Sequence, residues 1–253
     1  MARSDLWTRD QLLLALRLYL RLPFGKLHRL HPEIIELAKL IGRTPNALAM
    51  KACNFANLDP ELQARGIRGL SNLSNADREI WFEFLNNAEG LAAEAEEAAE
   101  RIAGVVSTDT PEFCLPTGPT VVERTVRTRR VQSFFRAAVL TTYNSTCAIS
   151  GVAGAELLTA SHIIPWSESV ERRADPRNGL CLNALLDRAF DRGLFSLDDN
   201  LQVIVSRRLI DNVAEATLKC SLDQIEGISL SMPSRFLPDP EAIRFHRTKV
   251  FQP

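Results

Sequence analysis

Between Val106 and Pro119 the chain gives up helical periodicity for Ser, Thr, Asp, Pro and Gly, with Pro111, Pro116, Gly118 and Pro119 breaking any regular backbone. A segment of this kind is a linker, so the two sides of it are separate folding problems. At 253 residues the chain is long enough for two modest domains and a connector. We therefore expect an α+β protein with an all-α domain over 1–105, a linker over 106–121 and a second domain over 122–253, whose core is 145–206.

The first side reads as helices. Thr8 is placed to cap a helix over 8–22 in which Leu12, Leu16, Tyr19 and Leu20 recur at helical spacing. Pro23-Phe24-Gly25 breaks it. A second run over 32–41 has Pro32 in its first turn and Ile34, Ile35, Leu37, Ala38 and Ile41 as its stripe, and Gly42 ends it. Thr44-Pro45 opens a third helix that carries Ala47, Leu48, Met50, Ala52 and Phe55. Helix, glycine turn, helix is the outline of a helix-turn-helix, and equally of any three-helix bundle. On the first reading Arg43, Asn46, Lys51 and Asn54 are the polar side chains that reach DNA. Residues 75–103 continue as helix, and the Ala- and Glu-rich stretch Glu89 to Glu100 reads as a solvated arm or spacer.

Lys plus Arg numbers 30 against 31 Asp plus Glu, which excludes a globally basic binder and leaves local basic surfaces open. Five cysteines lie far apart with no CxxC pair, which argues against a zinc ribbon and for reduced thiols in a cytoplasmic protein. Beyond the linker, Arg124, Arg127, Arg129, Arg130 and Arg136 face only Glu123 over 122–143, with Val131, Phe134, Phe135, Ala138 and Val139 along one helix face. That is a helix with a basic lead-in. Functionally, Arg127, Arg129 and Arg130 make a phosphate-contact surface.

The stretch from Cys147 to Val205 carries the chemistry. It reads as a hairpin of 146–150 with 157–164, with His162 near the end of the second strand. The loop motif Asp175-Pro176-Arg177-Asn178-Gly179-Leu180 follows, then a short helix over 184–190 stopped by Asp191-Arg192-Gly193. Two strands over 194–197 and 201–205 flank the turn Asp198-Asp199-Asn200. SHIIPW at 161–166, DPRNGL at 175–180 and FDRGL at 190–194, in that order and spacing, resemble the HNH (ββα-metal) endonucleases.

The resemblance implies a nuclease acting on double-stranded DNA with a divalent cation, Mg²⁺ or Mn²⁺. His162 is then the general base, its ordinary pKa lying near neutrality, and Asn178 ties down the loop that orients it. Arg192 joins the DNA contacts. Cleavage of both strands by a single-site nuclease would call for a homodimer. A restriction or host-defence role rests on the resemblance alone.

The sequence departs from the family at its last helix. Members typically carry a metal-ligating His there, and the alignment puts Leu186 at that position. Asp187, one residue on, is the substitute ligand, with Asp191 on the same helix face and Ser161, a weak ligand, beside the base. Leu186 therefore also admits a second reading, a DNA-binding module with a catalytically silent HNH fold.

Overall fold

In the computed structural model of the chain, residues 6–67, 73–104, 119–207 and 224–253 are described, with backbone only at 119–124. Most of the expected linker lies outside these residues. The chain forms two compact units, Met1–Ala137 and Ala138–Pro253. The first is helical and the second holds two small antiparallel sheets among helices, an α+β chain.

In the first unit, α1 (Arg9–Arg21) starts at the expected cap. Thr8 Oγ1 accepts from Gln11 N at 3.3 Å, and the Gln11 side chain accepts from Thr8 N at 3.2 Å. Its burial runs nearly all round, through Leu12, Leu13, Leu14, Ala15 and Leu16. An apolar surface of that width must be central rather than one-sided, and α1 packs against α3 (Pro45–Ala56), α5 (Asn75–Asn86) and α6 (Ala88–Ala103). Helix α2 (Pro32–Leu40) ends at Gly42, whose φ of +68° suits a residue without a β-carbon, and α3 follows from its Thr44 cap. A short α4 (Pro60–Ala64) is capped by Asp59, which also accepts from Tyr19 Oη at 2.7 Å.

Two expectations change here. The run 75–103 is two helices, broken where Asn87 caps the second. The Ala-rich stretch is no solvated arm: Leu91, Ala92, Ala95 and Ala98 are buried. Small side chains let α6 approach α1 closely, and ion pairs Arg17–Glu96 at 2.8 Å and Arg9–Glu94 at 2.6 Å run between the two helices. Helix α7 (Pro119–Thr142) buries Val131, Phe134 and Phe135.

In the second unit, β1 (Leu158–His162) pairs antiparallel with β2 (Gly179–Asn183), with Ser161 opposite Leu180 and His162 opposite Gly179. The expected partner, 146–150, makes only a single bridge, Thr146 to Ala153. Its main chain closes instead into a tight turn, and the Cys147 sulfur accepts from Ser150 N at 3.4 Å and Asn183 N at 3.3 Å. Helix α8 (Ala184–Asp191) follows β2 directly, capped by Asn183, whose Oδ1 accepts from Leu186 N at 3.0 Å. Strands β3 (Phe195–Leu197) and β4 (Val203–Val205) form the second sheet around the expected Asp198 turn.

The chain then returns through α9 (Pro240–Phe245) and a π-helical turn over His246–Val250. His246 lies flat on Phe190, ring centroids 3.6 Å apart, accepting from Ser196 Oγ at 2.9 Å and donating to Phe190 O at 3.1 Å. Gln252 N donates to Gly193 O at 3.2 Å, and a β-carbon at Gly193, whose φ is +67°, would run into the Val250 carbonyl.

Candidate active site

Strand β1, the loop after it and α8 enclose a cleft of about 590 Å³ whose lining includes Ser161, His162, Trp166, Asp187 and Asp191. His162 Nε2 donates to the Arg173 carbonyl at 3.0 Å. Because a carbonyl only accepts, Nε2 carries the proton, and the neutral ring keeps its lone pair on Nδ1. Burial pushes the pKa of His162 below the ordinary value, outweighing the Arg173 hydrogen bond that raises it. The ring is therefore neutral at physiological pH, the form a general base needs.

Asn178 supplies the rigidity behind that contact. It is 1% exposed. Its Oδ1 accepts from Ile164 N at 2.8 Å, and its Nδ2 donates to Ile164 O and Arg172 O, both at 3.2 Å. One side chain thus ties the end of the His162 strand to the loop whose next carbonyl receives the His162 proton. Arg173 closes the same loop, with Nε donating to Trp166 O at 2.9 Å and its guanidinium 4.8 Å over the Trp166 ring. The Trp166 ring meets His162 edge-on at 5.6 Å. Sequence reasoning missed Arg173 because it acts on His162 through a main-chain carbonyl, which leaves no mark on residue type.

Helix α8 decides where the carboxylates stand. Leu186, Ala189 and Phe190 are its buried residues, and Leu186 is only 5% exposed. Asp187, one step of about 100° further round the helix, lines the cleft, and Asp191 joins it one turn on. Leu186, the expected vacant ligand position, packs among the buried residues of the helix, and the next position, which lines the cleft, carries a carboxylate. Burial raises the Asp187 pKa against the opposing effects of Ser161 and Arg188; burial and the neighbouring Asp187 raise that of Asp191 against Arg188 and Arg192. Ser161 is 2% exposed, with its hydroxyl beside the Asp187 carboxylate.

No group of three or more His, Cys, Asp and Glu side chains placed to hold a metal ion occurs among the described residues. What the cleft offers is two carboxylates whose charge is disfavoured by burial, and for Asp191 by its like-charged neighbour, with the Ser161 hydroxyl beside Asp187. Oxygen donors of this kind, few and open to added water, fit a hard divalent cation such as Mg²⁺ or Mn²⁺.

The expected DNA contacts separate into groups. Lys51 and Asn54 point into the first unit, where Lys51 Nζ meets Asp77 Oδ1 at 2.8 Å and Asn54 Nδ2 donates to Asp77 Oδ2 at 3.0 Å. They are corrected from surface to core residues, because the Asp77 carboxylate is fully buried and needs those donors. Arg43 is half-buried, donating to Leu6 O at 2.7 Å and lying 4.9 Å over Trp7, whereas Asn46 is exposed. Arg130 is engaged by Glu100 at 2.6 Å, Arg127 is exposed and Arg129 half-buried. Arg192 is exposed at the rim of the cleft.

Among the described residues no helix is long and apolar enough to cross a membrane. No curated protein matches the chain. Residues 147–198, which span β1, the Asn178 loop, β2, α8 and β3, match the family model described as HNH endonuclease.

Proposed function

We propose that the chain is a divalent-metal-dependent endonuclease that hydrolyses phosphodiester bonds of double-stranded DNA, with the N-terminal helical region (1–105) contributing to DNA binding and 122–253 forming the nuclease domain. One observation carries the reading: a neutral histidine whose Nε2 is bonded to a main-chain carbonyl shares a cleft with two carboxylates on the adjoining helix.

His162 is the general base. With Nε2 committed to the Arg173 carbonyl, Nδ1 takes a proton from the attacking water. Asn178 is a positioning residue, holding the loop that fixes the ring. Asp187 and Asp191, with Ser161 beside them, hold the cation, which supplies charge stabilisation at the phosphate and the leaving oxygen. Arg192 and the exposed Arg127 contact the DNA backbone. A role in restriction or host defence rests on family resemblance. The alternative is a DNA-binding module with a catalytically silent HNH fold, which Leu186 at the family's ligand position favours.

The test is incubation of the purified chain with supercoiled plasmid in Mg²⁺, Mn²⁺ or chelator. Metal-dependent nicking or linearisation, lost in His162→Ala and Asp187→Asn, is the expected result. An active His162→Ala variant would assign the base elsewhere, and a parent chain that cuts nothing in any metal would overturn the nuclease reading.

A further inference from the structure

Most arginines of the second unit have partners within it. Arg172 pairs with Asp239, Arg177 with Asp175 at 2.8 Å and Arg247 with Asp199 at 2.6 Å, while Arg173 lies on Trp166. Arg188 and Arg192 differ. Both are exposed, both line the cleft, and neither has an ion pair or side-chain hydrogen bond among the described residues. Each follows a cleft carboxylate by one residue, so α8 presents Asp187 and Arg188, then one turn later Asp191 and Arg192.

The charges sharpen the point. Two carboxylates and two guanidiniums beside a neutral His162 leave the cleft with no net charge. A divalent cation on the carboxylates makes it doubly positive, more than a single scissile phosphodiester offsets. The two residues stand one helical turn apart, about 6 Å along the axis, comparable to neighbouring phosphates on one strand. Guanidinium forks are suited to phosphate oxygens at such positions.

Resting on the nuclease reading above, we propose that Arg188 and Arg192 form a two-point clamp that grips two consecutive phosphates next to the scissile one, on the same strand. The chain then requires a run of at least three consecutive phosphates for full activity. Helix α8 serves as both cation carrier and strand ruler.

The test pairs Arg188→Gln and Arg192→Gln, singly and together, with duplex DNA. Binding is measured by fluorescence anisotropy in chelator as a function of salt. Removing both arginines is expected to flatten the slope of log K against log salt by about 2, at roughly 0.9 per phosphate contact. Cleavage is then measured at a mapped position with an uncharged methylphosphonate placed next to the scissile phosphate, first on one side and then on the other, the more damaging side being the one compared. The parent is expected to lose about ten-fold in kcat/KM, the worth of one charge-assisted hydrogen bond, and the double variant little further.

An unchanged salt slope, no binding by the parent in chelator, or an equal methylphosphonate penalty in parent and variant overturns the clamp. A flattened slope in a chain that cuts no DNA in any metal keeps the phosphate grip and sinks the nuclease reading instead.

Discussion

Protonating His246 should loosen the second unit, and the structure sets the size of the effect. The ring is 1% exposed, stacked on Phe190, and both nitrogens are bonded in its neutral form. Burial holds its pKa down to about 4 from the ordinary 6.5, outweighing the hydrogen bond to Phe190. The unfolded chain therefore binds the proton more readily than the folded one. The neutral ring's contribution is intact above pH 6.5 and declines as pH falls toward 4. At 1.36 kcal/mol per unit, the loss is about 1.4 kcal/mol at pH 5.5, about 2.5 kcal/mol at pH 4.5 and about 3 kcal/mol once both states are protonated. Urea midpoints at pH 7.5, 5.5 and 4.5, compared with those of His246→Gln, isolate this contribution from the other titrating groups. The variant should begin less stable at pH 7.5 and lose less on acidification. Parallel curves for parent and variant, or a His246 ring that titrates near 6.5 by NMR, would refute the argument.

Four further outcomes follow from the geometry. Leu186→His should not strengthen metal-dependent cleavage and should lower stability by about 2–4 kcal/mol, because it puts a polar ring into the core; a gain in cutting would return position 186 to the site. Lys51→Met leaves the Asp77 carboxylate buried without its cation and should cost about 3–5 kcal/mol in urea unfolding of the first unit. Gly193→Ala combines a left-handed backbone, about 1–2 kcal/mol for a residue with a β-carbon, with a clash at Val250, so a thermal melt within a degree of the parent would contradict the packing described. Asn178→Ala should lower kcat of plasmid cleavage by at least ten-fold while metal affinity, read by Mn²⁺ titration, changes less; equal losses in both would make Asn178 merely structural.

What the sequence revealed depended on the range of the physics involved. Caps such as Thr8, Thr44 and Asn183 act over three residues, so the first two were placed from local chemistry alone. The motif residues His162 and Asn178 were legible because their types and order are unusual together. Phase around a helix was not: Leu185 is exposed and its neighbour Leu186 buried, and only the partner surface distinguishes them. Strand pairing failed for the same reason. Two apolar runs, 146–150 and 179–183, both suited the strand of His162, and the choice lay in the Cys147 turn that removes the first. Lys51 and Asn54 carried donors that looked available until Asp77, distant in sequence, supplied a buried acceptor.

The bracing of α8 by His246 and Gln252 has a consequence for the order in which the domain is made. The strand, loop and helix of the cleft leave the ribosome first, and the ring that locks Phe190 follows 56 residues later, a delay of about 3–11 seconds at about 5–20 residues per second. Throughout that interval the end of α8 that bears Asp191 and Arg192 lacks its stacked ring and its last main-chain bond. The cleft is assembled in outline before it is made firm, and a newly synthesised chain acquires its rigid cleft geometry only after the segment through Gln252 has emerged and docked.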